Sequence, residues 1–287
     1  MFENILFYPI FLSQILLISY YFPKKILTRT KLVLQNYPPE QYPKLYVKPI
    51  KFYNSVLRSF KIANQIILAI GIAGIIGLGY LDMSHEGSIA EFIPLIYFMI
   101  QILPVFLMEV FGFAYFKMMR KADTRTTRKA ELMPRKLTDF VSPIAVGLAI
   151  FMFFACLLFF YLLEGFQYDL RNDTFIIFLT LGFSNLFFCV IIYWNIYGKK
   201  LDPYQAGKDR VRQIEITVKS LVYMSILASM FLILTKSINV FDLDYLETAL
   251  MSVYLQIVIW LGLGSMLKNI RLENLDFDVY KNEAAAS

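Results

Sequence analysis

The chain has 287 residues, 58% hydrophobic, 17% aromatic and 17% charged, with a formal net charge of +6. A soluble globular chain is about a quarter charged and under half apolar, and a core of this size cannot hide 27 phenylalanines and 19 tyrosines from water. Lipid as solvent removes the difficulty. The only two cysteines, Cys156 and Cys189, lie inside apolar runs, so no disulfide framework is written here. A single histidine, His85, excludes a histidine-built metal site.

A helix needs roughly 20 residues to cross a bilayer. In chain order, apolar runs of that size occupy 5–22, 62–81, 92–116, 140–163, 174–197, 217–235 and 246–267. The first is not a cleaved signal, because its basic residues Lys24, Lys25, Arg29 and Lys31 follow the apolar stretch. After it, the proline- and tyrosine-rich segment 36–49 cannot be helical and reads as an ordered strap. Ile50–Lys61 then puts Phe52, Val56, Leu57 and Phe60 on one face, which fits either an interfacial helix or a continuation of the second span. In that span Ala69, Ala73 and Gly77 recur at four-residue spacing, a face on which a neighbouring helix could pack closely. Pro104 should kink the third span. The loops at 117–136 and 198–216 share a loose Lys-x-Asp pattern, at Lys121–Asp123 and Lys200–Asp202, too short to define a repeat. Ala284–Ser287 reads as an appended tail, leaving 1–283 as one seven-helix domain.

The loops carry the orientation. Lysine and arginine number nine in 23–61, eight in 117–136, six in 198–219 and three after 267, which is 26 of the chain's 28. The opposite side keeps only Arg171 and Lys236. Such a bias places the basic loops in the cytoplasm, with the N-terminus outside and the C-terminus inside. The same distribution accounts for the net charge by contact with anionic lipid headgroups rather than nucleic acid. A bacterial inner membrane is the expected location.

Polar residues within the spans are the candidates for function. Glu109 is a carboxylate at membrane depth, which is costly and is a functional hypothesis by default. Pairing with Lys219 or a basic loop residue is its structural reading; ion, proton or substrate handling is its functional one. Gln101 precedes it by eight residues, about 80° around the helix, so both could line one polar stripe. Asn185 on the fifth span, Ser225 on the sixth, and Ser252 and Gln256 on the seventh complete a candidate polar cavity for an unknown small molecule or ion. Hydrogen bonding between helices explains the same residues without a ligand.

Enzyme chemistry has little support. His85 falls in the short loop between the second and third spans, away from the basic face, so no serine or cysteine there has a histidine base. No cofactor motif or metal-ligand spacing is present, and the middle of the seventh span has no lysine for a retinal Schiff base. Besides small-molecule handling, two alternatives remain: a sensor or scaffold subunit meeting a protein partner through its basic loops, and a lipid-modifying enzyme using interfacial carboxylates such as Asp123, Asp139 and Asp202.

Overall fold

The computed structural model describes residues 5–84, 92–123, 125, 134, 136–163 and 173–281. His85, most of the loop that follows Asp123, and Ala284–Ser287 lie outside the described residues. Among the described residues the chain is helical, without strands. Seven helices are long and apolar enough to cross a membrane. They are α1 (Phe7–Asn36), α2 (Ile50–Leu81), α3 (Ile93–Ala122), α4 (Pro143–Leu163), α5 (Thr174–Tyr197), α6 (Gly207–Val240) and α7 (Asp244–Asn269). The chain is therefore built as a polytopic membrane protein.

Several helices outrun the apolar segments that define them. The 30 residues of α1 extend about 45 Å and the 34 of α6 about 51 Å, against a hydrocarbon core of about 30 Å. Helix α1 does not stop at 22; it carries Lys24, Lys25, Arg29 and Lys31 to Asn36. Helix α2 starts at Ile50 without a break, so the segment before the second span is its continuation rather than a separate interfacial helix. The strap at 37–49 holds only a short 3-10 turn, Pro43–Leu45, and is tied back by Tyr46 Oη donating to the Tyr37 carbonyl at 2.6 Å. Ser142 starts α4 by accepting the Ala145 N–H at 3.2 Å, with Pro143 at the position that tolerates a missing donor.

The helices pack as two groups. In one, Phe7, Phe11, Ile15, Ile67 and Tyr97 join α1, α2 and α3, while Ile18, Phe22, Phe98, Leu255 and Ile259 join α1, α3 and α7. In the other, Phe140, Ala145, Ile196, Ile214, Val218 and Val222 join the start of α4 to α5 and α6, and Cys156, Phe160 and Leu181 continue that seam. Contact between α6 and α7 links the groups. Outside these seams the surface is apolar: α5 alone exposes Phe183, Leu186, Phe187 and Trp194. Water would not tolerate such a belt on a monomer, and lipid does.

The small-residue face of α2 is not a packing face. Ala69, Ala73 and Gly77 are exposed, and a Cβ on Gly77 would meet nothing within 4 Å. Close approach happens at Gly71 instead, where a Cβ would sit 2.1 Å from Tyr97 Oη and 3.0 Å from an Ile15 methyl. Tyr97 is held there by donating its hydroxyl to the Ile67 carbonyl at 2.6 Å.

Two helices contain π turns, Leu17–Tyr21 in α1 and Trp260–Gly264 in α7. Each widens a helix by one residue and releases backbone groups that need partners. Ser220 of α6 satisfies one of them, donating to the Leu261 carbonyl at 2.6 Å. The two turns face each other: the Phe22 ring lies 6.1 Å from the Trp260 ring, and a Cβ on Gly264 would come within 3.3 Å of Phe22.

Candidate functional site

A buried polar network joins α1, α3 and α7. Gln14, Gln101 and Ser252 are all 0% exposed. The Gln14 amide Nε2 donates to the Pro94 carbonyl and to Gln101 Oε1, both at 3.1 Å. Gln101 Nε2 donates to Ser19 Oγ at 2.9 Å, and Ser252 Oγ donates to Gln14 Oε1 at 2.7 Å. Both amides are thus engaged through nitrogen and oxygen. An interhelical bond in a membrane is worth about 0.6 kcal/mol on average, but stranding a buried amide costs about 1–3 kcal/mol. The network is consequently a closed structural joint built on two amides and two serine hydroxyls.

Beside it lies a groove. Between α1 and α7 a cavity of about 330 Å³ is lined by Ile10, Ser13, Leu17, Val253, Gln256, Ile257 and Trp260. Its polar floor is Gln256, whose Nε2 donates to the Ile10 carbonyl at 3.1 Å and whose Oε1 accepts from Ser13 Oγ at 3.0 Å. Ser13 and Trp260 are exposed, so the groove opens sideways toward lipid. One hydrogen on Gln256 Nε2 is left for a ligand.

The six residues singled out from sequence therefore separate. Gln101 and Ser252 belong to the closed network, and Gln256 to the groove beside it. Asn185 and Ser225 form their own pair between α5 and α6, with Ser225 Oγ donating to Asn185 Oδ1 and Asn185 Nδ2 donating to the Leu181 carbonyl at 2.9 Å. Glu109 joins neither group. It faces outward on α3, and Lys219, proposed from sequence as its partner, instead pairs with Glu215 at 2.6 Å. Gln101 and Glu109 do not share a stripe, since one is fully buried and the other exposed.

The sequence reading missed three members. Gln14, Ser13 and Ser19 lie in the first span, and Gln14 is the only amide in the apolar run 5–22. That solitary amide was a usable signal. Ser19 was not, because five residues place it about 140° from Gln14 in an uninterrupted α-helix. The π turn changes that angle, and Gln101 then reaches both.

At the end of the bundle that carries the basic loops, the carboxylates are spent on structure. Asp123 pairs with Arg125 at 2.8 Å, Asp139 accepts the Lys136 N–H at 3.0 Å, and Asp209 accepts the Asp276 N–H at 3.0 Å. Asp202 is buried, accepts the Tyr204 N–H at 2.8 Å, and also accepts the Tyr280 hydroxyl. The C-terminal segment is folded back to reach it, with Phe277 stacked on Tyr37 at 3.8 Å. Burial pushes the Asp202 carboxyl above its ordinary range, against hydrogen bonds from Tyr280, Tyr204 and Gln205 and the charge of Arg125. Burial likewise raises Tyr280, and the Asp202 charge adds to it. Glu131, another acid of the 117–136 loop expected at the interface, lies outside the described residues. No group of three or more His, Cys, Asp or Glu suited to a metal occurs among the described residues.

Comparison with family models, with curated proteins and with solved structures gave no match.

Proposed function

We propose that this chain is a membrane-embedded binding protein that takes a slender, mostly apolar molecule from the bilayer into the α1/α7 groove. The carrying observation is the groove itself, about 330 Å³ with Ile10, Leu17, Val253, Ile257 and Trp260 as apolar walls. That volume lies at the low end for ligand sites, which combine apolar walls with a few placed polar groups. It suits a single hydrocarbon chain better than a bulky ring system. The remaining Gln256 N–H supplies the one polar contact, and the closed network behind it keeps the floor rigid. The handling of a small molecule thus moves from a central polar cavity to a lateral site. In the same reading the basic loops face the cytoplasm and the N-terminus lies outside, on the strength of 26 of 28 lysines and arginines falling on one side.

The test uses Trp260, which lines the groove. Trp194 is the only other tryptophan, so Trp194→Phe isolates its fluorescence. In vesicles of chain-brominated phosphatidylcholine, Trp260 should be strongly quenched. Filling the groove with Val253→Phe and Ile257→Phe should reduce that quenching by about half or more, because a ligand pocket of this size has little room to spare. Unchanged quenching would mean that Trp260 meets only the ordinary lipid shell, and the reading would fall.

A further inference from the structure

Below the groove, toward the end that carries the basic loops, the α1/α7 seam gathers three cations. Phe22 marks the side of α1 that faces α7, since its ring meets Trp260 and Gly264. Lys25 and Arg29 follow Phe22 by three and seven residues, which returns both to that side of the helix. On α7, Lys268 follows Gly264 by four residues and stands one turn beyond it. Lys25 and Lys268 are exposed and Arg29 is half-buried. None of the three has an ion-pair partner among the described residues. Lys25 is held over the Tyr21 ring at 4.6 Å, which aligns it along α1 instead of letting it swing into water.

The spacing joins these cations to the groove. Leu17 and Trp260 form its lower edge, and Lys25 and Lys268 each lie eight residues further on, about 12 Å along the helix axis. An apolar slot with positive charge about 12 Å further along the helix axis is the complement of an amphiphile with a negative head and a hydrocarbon tail. We infer that the α1/α7 seam is a site for one anionic phospholipid, its acyl chain in the groove and its phosphate between Lys25 and Lys268. This rests on the binding role proposed for the groove and names the class of ligand. Anionic lipid favours each nearby basic residue, so two exposed lysines beside the groove add a local headgroup preference to that of the basic loops as a whole.

The experiment compares brominated phosphatidylglycerol with brominated phosphatidylcholine, reading Trp260 in the full-length Trp194→Phe protein. Phosphatidylglycerol should be preferred by about fivefold or more. Lys25→Gln with Lys268→Gln should lower the ratio to about twofold or less, the part left to Arg29, and Lys25→Arg with Lys268→Arg should restore it. Because both lysines are exposed, loss of folding does not confuse the result, and restoration by arginine confirms it. A ratio near one in the starting protein, or a preference undiminished by the glutamine pair, overturns the anionic site. If quenching by both lipids is equal yet still falls when the groove is filled, the groove binds chains without reading headgroups. In that case this inference fails while the binding role stands. Quenching that ignores groove filling removes both.

Discussion

Asp202 is the residue whose chemistry has the clearest consequence. It is 8% exposed and holds the C-terminal segment through Tyr280 and its own loop through the Tyr204 N–H. Burial lifts its pKa above the ordinary value of 3.8. A carboxyl with a raised folded pKa binds its proton more tightly in the folded state, so its contribution favours folding at low pH and is lost as pH rises through the folded value. The window opens at about pH 4, the unfolded value, and extends upward to the raised one. Amide exchange across 270–281 should accordingly be slower at about pH 4 than at about pH 7 after correction for intrinsic rates. Asp202→Asn should flatten that difference, and an unchanged pH dependence in the variant would assign it elsewhere. Glu109, chosen from sequence because of its depth, has no comparable surroundings: it stands on the outer face of α3.

At the scale of elements, α2 shows why spacing alone misleads. Ala69, Ala73 and Gly77 satisfy a four-residue small-residue pattern, yet the helix turns that face to lipid and packs through Asn64, Ile67 and Gly71. The decisive contact is a tyrosine hydroxyl reaching a carbonyl on the neighbouring helix, which no pattern in α2 reveals. Gly71→Ala should lower stability by about 1–3 kcal/mol, because the new methyl meets the Tyr97 ring, which its own hydrogen bond keeps in place. Gly77→Leu should change stability by less than about 0.5 kcal/mol, since it faces open space. Thermal unfolding of the two variants in detergent separates the cases, and equal midpoints would contradict the packing described. The π turns make the same point for α1 and α7, where one extra residue re-aims the side chains beyond it.

For the whole molecule, the prediction with the widest reach is orientation. The long helices carry the basic loops to one end of the bundle, where Arg120 meets Lys200 and Tyr280 meets Asp202. The proposed orientation, with that end in the cytoplasm, rests on the lysine and arginine bias. In a background lacking Cys156 and Cys189, cysteines at His85 and Asp169 should react with an impermeant thiol reagent in intact cells. Cysteines at Thr127 and Gly207 should react only after permeabilisation. Labelling of Thr127→Cys from outside would reverse the topology, and with it the leaflet from which a lipid reaches Lys25 and Lys268.

Composition and hydropathy by themselves determine that this chain forms seven helices long and apolar enough to cross a membrane, because apolar runs of about 20 residues that must satisfy their own backbone admit few alternatives. Each expected span coincides with a helix of the structure, although those expected from 5, 92 and 140 begin at Phe7, Ile93 and Pro143, and α1, α2 and α6 run on well beyond the apolar runs, where polar sequence is still compatible with helix. Among the candidate residues, sequence could say that Gln101, Asn185, Ser225, Ser252 and Gln256 need partners, but not which partners. That depends on helix rotation and on the neighbours that α1 acquires, α2, α3 and α7, only one of which follows it directly in the chain. Gln14 met Gln101 and Ser252, Asn185 met Ser225, and Glu109 was left exposed, because side-chain packing between helices sets those angles. A one-residue widening in two helices then decided where the groove and its nearby cations fall.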